Sequence, residues 1–259
     1  MKSIKLTAIV LPVMLLSCLF FSCSKDSVSG KVNDANNSDA IEGVRPNLVA
    51  WYKFTNGNTA DYSGNNNHLK QHNVALTTDY MGRPNNAYYF DGSSSFMQTG
   101  NSASLNPPKI TLMALFKPTG YYLGNGAASR ILMKGVDDQS NGDYFLGFYN
   151  NGVMYGTYGD NQFQSNGVGS AENALQLNNW YKLVYTYDGS VGKLYINDVL
   201  VNESAKTAIF TPNISPLRIG KTGRTDFPYW FNGTIDEIRI YNIALSASQV
   251  AKIDAQMGQ

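Results

Sequence analysis

The segment Asp61–His68, which reads DYSGNNNH, combines one carboxylate, several side-chain amides and a glycine. Calcium takes oxygen ligands of this kind, and a glycine permits the tight turn that would bring them together. Asp61, Gly64, Asn67 and His68 are therefore candidate calcium ligands, with His68 offering its backbone carbonyl oxygen rather than its ring. The same residues also suit a turn whose side chains bind their own backbone, and the sequence alone leaves both interpretations open.

Aromatic residues occur in three polar, glycine-containing segments, TGYYLGNG, YGDNQFQSNG and TDFPYWFNG. Aromatic rings offer flat apolar surfaces to sugar rings, while amides, carboxylates and guanidinium groups bind hydroxyl groups. These segments are therefore predicted to be ligand-binding loops, although aromatic residues also fill sandwich cores. The candidate ligand-binding residues are Tyr121, Tyr122, Tyr158, Phe163, Arg224, Asp226, Tyr229 and Trp230.

The carboxylates are not spaced as the acid pair of a glycoside hydrolase. Retaining enzymes of that class hold two carboxyl groups about 5 to 5.5 Å apart. Asp236 and Glu237 are adjacent, so on a regular strand their side chains point to opposite faces. Neither His68 nor His72 has a serine or cysteine partner in a nucleophile motif. The sequence thus favours a binding protein, and a glycoside hydrolase with an unusual acid pair is the alternative.

Short apolar runs separated by turn residues make up the chain from residue 47 onward, which predicts an all-β fold. Predicted strands cover 48–54, 86–90, 96–100, 110–118, 130–135, 144–149, 153–158, 180–189, 193–201, 215–220 and 231–241. Two-residue turns are predicted at 151–152 and 197–198. Ser246 and Gln249 have the spacing of a capping box, which predicts a short C-terminal helix through about Ile253.

The last predicted strand has an irregular apolar pattern. Phe231 and Ile235 share one parity, whereas Ile238 and Ile240 share the other. Both sets can face the core only if the strand contains an extra residue, so the pattern predicts a β-bulge at residue 236 or 237. Such a bulge would redirect an acidic side chain to the rim of the sheet.

The N-terminal residues 1–23 have the layout of a secretory signal, with Lys2 and Lys5 before an apolar run. LLSC and FFSC, which end in Cys18 and Cys23, both resemble the lipobox of bacterial lipoproteins. We predict lipidation at Cys23. The alternatives are a retained membrane anchor, for which the apolar run is short, and a signal whose cysteines are removed on cleavage.

Residues 24–46 are polar and are predicted to be a flexible tether, which leaves 47–259 as one folded domain. This domain contains no cysteine, so a core, with or without a metal, must stabilise it. The chain has 20 Lys plus Arg and 19 Asp plus Glu, and this balanced charge argues against nucleic acid as a partner. The sequence does not indicate an oligomeric state.

Five segments together resemble the laminin G-like group of the concanavalin A-like lectin and glucanase superfamily. They are VAWYKF, DYSGNNNH, FDGSSSFM, WYKLVYTYDGSVGKLYINDVLV and FNGTIDEIRIYNIALSASQV, in this order. The resemblance implies a jelly-roll sandwich of two antiparallel sheets, with Trp180 and Phe231 in its core. It also implies a structural calcium ion between the DYSGNNNH loop and Asp236 of the last strand. The turn at 197–198 reads Asn-Asp where the family usually has Asn-Gly.

The leading hypothesis is a non-catalytic carbohydrate-binding module that recognises glycans or glycoproteins. The resemblance, the loop aromatics and the lack of an acid pair support it together, while fold resemblance by itself does not define a function. The lipid at Cys23 would tether the module to the outer membrane, where it is expected to be exposed at the cell surface. A protein-binding adhesion domain is the second alternative, besides the hydrolase.

Overall fold

The computed structural model describes residues 45–135, 144–159, 167–205 and 211–253. These residues belong to one compact unit, Ala35–Gln259. The predicted signal, Cys23 and nearly all of the predicted tether lie outside the described residues. Within the described part of the chain, no helix has the length and apolar character needed to cross a membrane.

Fifteen strands in the described ranges form two antiparallel sheets, as the apolar pattern predicted. In chain order the strands are β1 (Leu48–Tyr52), β2 (Lys70–His72), β3 (Ala75–Thr77), β4 (Ala87–Asp91), β5 (Phe96–Gln98), β6 (Ile110–Gly120), β7 (Ala128–Lys134), β8 (Tyr144–Tyr149), β9 (Met154–Tyr158), β10 (Val168–Gly169), β11 (Tyr181–Tyr187), β12 (Val191–Ile196), β13 (Val199–Ala205), β14 (Leu217–Ile219) and β15 (Asn232–Tyr241). The eight-stranded sheet has the order β13-β12-β11-β6-β15-β4-β3, with β1 also paired to β15. The seven-stranded sheet has the order β10-β9-β8-β7-β14-β5-β2. The fold is a jelly-roll β-sandwich.

The main core lies between the two sheets and contains a trio of phenylalanines. Phe116 on β6 stacks on Phe148 of β8 at 6.1 Å, and Phe231 lies 6.0 and 6.1 Å from these rings. Aromatic pairs at such distances add to the stability gained from apolar burial. The assignment of Phe231 to the core is confirmed. Trp180, which was also assigned to the core, is only half-buried and packs against a second, smaller apolar cluster.

The predicted β-bulge is present in β15. Ile235 pairs with Phe116 and Glu237 pairs with Leu115, which leaves Asp236 as the extra residue. The side chains of Ile235 and Ile238 are both fully buried in the main core, as the pattern required. The expected exposure at a rim was wrong, because Asp236 and Glu237 are themselves buried.

The C-terminal helix α1 (Ala247–Lys252) begins with the predicted capping box. Ser246 accepts a hydrogen bond from the Gln249 N–H, and the Gln249 side chain accepts one from the Ser246 N–H. Val250 of this helix and Ile253 pack on the outer face of the eight-stranded sheet. The helix therefore covers a second, smaller apolar cluster.

The two predicted hairpin turns have different outcomes. Asn197 and Asp198 both adopt left-handed backbone conformations, with φ of 48° and 70°, as a two-residue turn requires. The turn at 151–152 is longer than predicted. Gly152 has φ of 79°, and its N–H donates to the Tyr149 carbonyl oxygen. The Tyr149 N–H donates to the Val153 carbonyl oxygen. Residues 150–153 therefore form a four-residue loop.

Candidate functional site

Three loops meet beside one end of the seven-stranded sheet. They connect β6 to β7 (121–127), β8 to β9 (150–153) and β14 to β15 (220–231). Asn150 joins the first two, because its side-chain amide donates to Tyr122 and its backbone N–H donates to Ala127, both at 2.9 Å. The Arg130 N–H donates to the Tyr229 carbonyl oxygen at 2.9 Å, and this bond joins the third loop to β7. We call residues 121–127, 150–153 and 220–231 the loop cluster.

The longest loop of the loop cluster is held in a fixed shape by its own backbone. The Phe231 N–H donates to Gly220 and the Thr222 N–H donates to Pro228, each at 2.9 Å. The buried Thr222 hydroxyl donates to Phe227 and accepts from the Arg224 N–H. These bonds close a hairpin-like loop, so the side chains at its tip have defined positions.

Tyr229 is held in an unusual backbone conformation, with φ of 44°. A left-handed conformation costs a non-glycine residue about 1 to 2 kcal/mol. Its ring lies 4.7 Å from the Arg130 guanidinium and 6.1 Å from the Tyr122 ring. These contacts and the bond to the Arg130 N–H offset the cost and fix the orientation of the ring.

Two glycines of the β6–β7 loop make room for these rings. A Cβ on Gly126 would lie 2.5 Å from two atoms of the Tyr229 ring, and a Cβ on Gly124 would lie 2.1 Å from the Tyr122 hydroxyl oxygen. Both distances are far shorter than a van der Waals contact. The glycines of the TGYYLGNG segment therefore permit aromatic packing, which sequence reasoning did not foresee.

Arg224 and Asp226 lie at the tip of the 220–231 loop, as a pair. Arg224 Nε donates to Asp226 Oδ1 at 2.9 Å, and the guanidinium lies 4.6 Å from the Phe227 ring. The hydrogen bond from Arg224 holds the pKa of Asp226 below its ordinary value. The pair is exposed enough to offer donors and acceptors to a polar ligand beside the rings.

Trp230 points toward the outer face of the seven-stranded sheet. Its ring lies 6.1 Å from Phe96 on β5, and the Phe96 ring is stacked on His72 of β2 at 4.2 Å. Lys221 Nζ lies 4.5 Å from the Trp230 ring centroid. Sequence reasoning missed Phe96, His72 and Lys221. In the sequence, Phe96 has the same parity as the polar Gln98, and this alternation could have indicated that Phe96 faces outward.

Of the other three predicted ligand-binding residues, one lies in a strand, one lies in the loop cluster but packs its ring against the core, and one lies outside the described residues. Tyr158 belongs to β9, is 1% exposed and donates its hydroxyl proton to the Pro107 carbonyl oxygen, so its assignment to a binding loop was wrong. Tyr121 is half-buried against the core, with its ring 6.2 Å from Phe148. Phe163 is not among the described residues.

The carboxylate of Asp61 is used entirely inside its own loop and β1. Its two oxygens accept hydrogen bonds from the N–H groups of Trp51, Ser63 and Asn67 and from the Ser63 hydroxyl, at 2.8 to 3.0 Å. The His68 ring accepts from the Asp61 N–H at 3.0 Å. Gly64 has φ of 93° and makes the tight turn. This arrangement matches the self-bonded turn that the sequence left open.

The amide group of Asn67 is also committed to protein partners. It donates to Val49 and Ser104, its side-chain oxygen accepts from Ser102, and its backbone oxygen accepts from Tyr52. These four bonds leave Asn67 little capacity for a metal ion.

Asp236 does not share a partner with Asp61. It accepts from the Tyr80 N–H at 3.0 Å, and its burial, with the nearby charges of Glu237 and Asp79, raises its pKa to about 7 against that hydrogen bond. Within the described ranges, no group of three or more His, Cys, Asp and Glu side chains could hold a metal ion. As folded, this donor set does not fit calcium, and calcium binding stays a prediction.

Glu237 is turned toward different partners from those of its neighbour Asp236. Its Oε1 accepts from the Trp51 indole at 2.6 Å and from the Arg239 guanidinium, all within buried side chains. These two acids are therefore bound to separate groups of the protein and do not form a pair that flanks one substrate bond.

Comparison with known families shows which superfamily this chain belongs to. The sequence model described as the Concanavalin A-like lectin/glucanases superfamily matches residues 90–251, which is more than half of the chain. The chain belongs to this superfamily. No curated protein matches the sequence.

Solved structures with the same fold include domains whose titles mention saccharides or receptors. Domain 4 of an extracellular arabinanase from Geobacillus stearothermophilus, solved with arabinotriose, is 19% identical, with a TM-score of 0.60, over 80% of this chain and 98% of that one. A botulinum neurotoxin type C structure, titled for cell entry through two ganglioside molecules, is 14% identical, with a TM-score of 0.67. The alignment covers 84% of this chain and 53% of the neurotoxin chain, so this chain spans about half of it.

Proposed function

We propose that this superfamily member is a non-catalytic carbohydrate-binding module that contacts a glycan or glycoprotein through the loop cluster. The observation that carries the proposal is the group of Tyr122, Tyr229 and Trp230, three half-buried rings on adjoining loops. Aromatic rings combine a large apolar surface with a polar edge, which suits the alternating C–H and hydroxyl groups of a sugar.

The rigidity of these rings supports binding. The left-handed backbone at Tyr229, the contact with Gly126 and the bonds of Thr222 define their positions before any ligand arrives. A preorganised surface loses less conformational entropy on binding, so more of the contact energy becomes affinity. Arg224 and Asp226 add hydrogen-bonding groups at the same loop. The arabinanase domain and the neurotoxin, whose titles name arabinotriose and gangliosides, agree with this ligand class.

A glycan-array screen of the purified chain, followed by calorimetric titration of the strongest ligand, tests the proposal. We expect Trp230→Ala and Tyr229→Ala each to weaken binding by about five- to a hundredfold, since stacking on an aromatic side chain is commonly worth about 1 to 3 kcal/mol. Tyr62→Ala, which removes a 45% exposed ring outside the loop cluster, is the matched control.

A folded chain that binds no glycan on the array would overturn the proposal. So would loop-cluster variants that bind the strongest ligand as tightly as the unsubstituted protein does, with the circular dichroism spectrum unchanged. Repeating the titration with a calcium chelator tests the calcium prediction separately. Loss of affinity in the chelator would show that binding needs a metal ion. Unchanged affinity would agree with an Asp61 carboxylate whose oxygens are already bonded to protein groups.

We also propose that lipidation of Cys23 tethers the module to the outer membrane, through the polar segment 24–46 and with the loop cluster exposed at the cell surface. The support is the signal layout and the FFSC motif of the sequence. Metabolic labelling with an alkyne fatty acid should label the chain and not Cys23→Ala. Protease added to whole bacteria should degrade a surface-exposed protein, and protection of the chain would indicate the periplasmic side.

Protein binding at a sheet edge is a second candidate function, favoured by one observation. β13 is the end strand of the eight-stranded sheet in the described residues, and Val199, Leu200 and Val201 are exposed on it. An exposed apolar edge strand can pair with another protein. If this edge carries the function, Leu200→Lys should abolish adhesion to a glycan-free protein partner, whereas Trp230→Ala should leave it intact.

A further inference from the structure

Two cationic side chains lie beside aromatic rings on the outer face of the seven-stranded sheet. Arg218 is the middle residue of β14, and its neighbours Leu217 and Ile219 are fully buried in the core. Because side chains alternate along a strand, Arg218 faces outward, and its strand partner Gln98 faces outward beside it. Phe96 shares this face of β5, two residues before Gln98.

Lys221 brings a second positive charge to the same place. Its Nζ atom lies 4.5 Å from the ring centroid of Trp230 and 5.2 Å from that of Phe96. Cation–π contacts of this kind hold the ammonium group close to the surface of the rings. Burial, and then the nearby charge of Arg218, lower the pKa of Lys221 from its ordinary value. We call Arg218, Lys221, Phe96 and Trp230 the cationic face.

Within the part of the chain that the structure describes, the cations of this face have no carboxylate partner, unlike other basic residues. Lys193 pairs with Glu203 and Arg224 pairs with Asp226. In the described parts of the chain, by contrast, no carboxylate forms an ion pair with Lys221 or Arg218. Arg218 donates one bond to the Gly135 carbonyl oxygen at 3.2 Å. Among the described residues, no group of opposite charge forms an ion pair with the other Arg218 donors or with the Lys221 ammonium group.

Two neighbouring, partly buried positive charges favour a negative group from outside the protein. Their mutual repulsion is relieved when an anion binds between them, and partial burial makes that attraction stronger than it is in bulk water. Charge-assisted hydrogen bonds to carboxylate or sulfate oxygens are stronger than neutral hydrogen bonds. Trp230 belongs to both the loop cluster and the cationic face, so the positive charge of Lys221 lies next to the proposed sugar-binding rings.

We propose that the cationic face binds the anionic substituent of an acidic glycan, a carboxylate or a sulfate group, while Trp230 contacts the sugar ring. This inference rests on the proposed carbohydrate-binding function and narrows its ligand class to acidic saccharides. Lys221 and Arg218 are the specificity-determining residues, since a neutral sugar gains nothing from their charge.

The test compares three probes that differ in charge: a neutral galacto-oligosaccharide, an oligogalacturonate of equal length and a sulfated galacto-oligosaccharide. We expect the purified chain to bind at least one acidic probe about tenfold or more tightly than the neutral probe, as one charge-assisted contact provides. The carboxylate and sulfate arms show which anion is preferred. Raised salt should reduce the preference because it screens the charges.

Three variants make the result specific. Lys221→Gln should lose about tenfold in affinity for the acidic probe and keep its affinity for the neutral one. Lys221→Arg retains the charge and should retain the preference. Lys193→Gln removes an equal charge from the other sheet, where Lys193 pairs with Glu203, and should change neither affinity.

The outcomes separate this inference from the proposed function. Equal affinity for neutral and acidic probes, unchanged in Lys221→Gln, overturns the inference and leaves the carbohydrate-binding proposal standing. Failure of the folded chain to bind any of the probes or any glycan on the array overturns both. An acidic preference that Lys221→Gln abolishes and Lys221→Arg keeps supports the inference.

Discussion

Asp61 shows how one buried side chain can organise a loop. Its carboxylate accepts three backbone N–H groups and one hydroxyl group, and it ties the 61–67 turn to the N–H of Trp51 on β1. Removal of the carboxylate would leave these donors without an acceptor, and buried unsatisfied donors are costly. The role of Asp61 in this structure is therefore to position the loop.

Asp61→Ala should lower the free energy of unfolding by about 3 kcal/mol, the range expected when a buried hydrogen-bond network is broken. Urea unfolding followed by fluorescence measures the change. Asp226→Ala is the control, because it removes an exposed carboxylate and should change the free energy of unfolding far less than Asp61→Ala does. A loss in Asp61→Ala no larger than that of the control would contradict the structural role.

Glu237 and Arg239 form a buried ion pair, so removing one charge should destabilise the protein more than removing both. Arg239 is 1% exposed and binds Glu237, which also accepts from the Trp51 indole. Arg239→Ala leaves a buried carboxylate unpaired and should cost about 3 to 5 kcal/mol in thermal or urea unfolding. The double variant Glu237→Gln with Arg239→Leu removes both charges and should be more stable than Arg239→Ala. If the double variant were less stable than Arg239→Ala, the unpaired carboxylate would not be the cause of the destabilisation.

At the level of elements, helix α1 depends on its N-cap residue, Ser246. Ser246 caps the Gln249 N–H, and the helix carries Val250 onto the smaller apolar cluster. Ser246→Ala should lower the free energy of unfolding by about 1 kcal/mol, the usual value of an N-cap. Ser248→Ala, on the exposed side of the same helix, should change it by a few tenths of a kcal/mol at most. Equal effects in the two variants would mean that the cap is not used.

The turn between β11 and β12 makes stability depend on pH. The hydrogen bond from the Val191 N–H, followed by those from Ser190 and against the effect of burial, lowers the pKa of Asp188 from its ordinary value of 3.8. A carboxylate with a lowered folded-state pKa stabilises the fold at pH values above 3.8, and this contribution is lost as the pH falls through the folded-state pKa.

Asp188→Asn keeps an oxygen acceptor and removes the charge, so it isolates this contribution. The stability difference from the unsubstituted protein should be constant near neutral pH and should shrink as the pH falls below 3.8. Urea unfolding at a series of pH values measures it. A difference that stays constant throughout the acidic range would show that the charge of Asp188 does not stabilise the turn.

Local signals account for the elements that were predicted correctly. The capping box, the Asn197–Asp198 turn and the bulge at Asp236 each depend on a few consecutive residues. β2, β3 and β10 were missed because they are two or three residues long and have mostly exposed or polar side chains, so they are strands only through their partners. Tyr158 ends the predicted strand 153–158, and its inward orientation could not be predicted because its hydroxyl partner, the Pro107 carbonyl oxygen, is distant in sequence.

At the level of the whole molecule, the candidate site was only partly predictable. The aromatic loops were recognisable one by one, but their meeting depends on strand order, which brings β7, β8 and β14 together. Phe96 on β5 is distant in sequence from Arg218 and Lys221, and no local pattern joins it to them. The charge of the cationic face was likewise hidden, because the chain as a whole is nearly neutral.

The two sheets are in close contact where Gly156 faces Tyr185. Gly156 on β9 faces Tyr185 on β11 of the other sheet, and a Cβ on Gly156 would lie 2.5 Å from the Tyr185 Cβ. The sheets approach so closely there that an added methyl group must push them apart, and such overpacking costs about 1 to 3 kcal/mol. Gly156→Ala should therefore lower the free energy of unfolding by about this amount, measured by urea unfolding.

Gly169→Ala is the matched control on the neighbouring strand β10, because a Cβ there would come nearest to a Val153 methyl group, at 3.2 Å, with its next contacts at 3.8 Å. It should be neutral or slightly stabilising, since alanine has less conformational freedom than glycine in the unfolded chain. The loop cluster is formed by other residues, so Gly156→Ala should still bind glycan below its unfolding transition. If Gly156→Ala proved as stable as Gly169→Ala, the sheets would not be in contact at Tyr185.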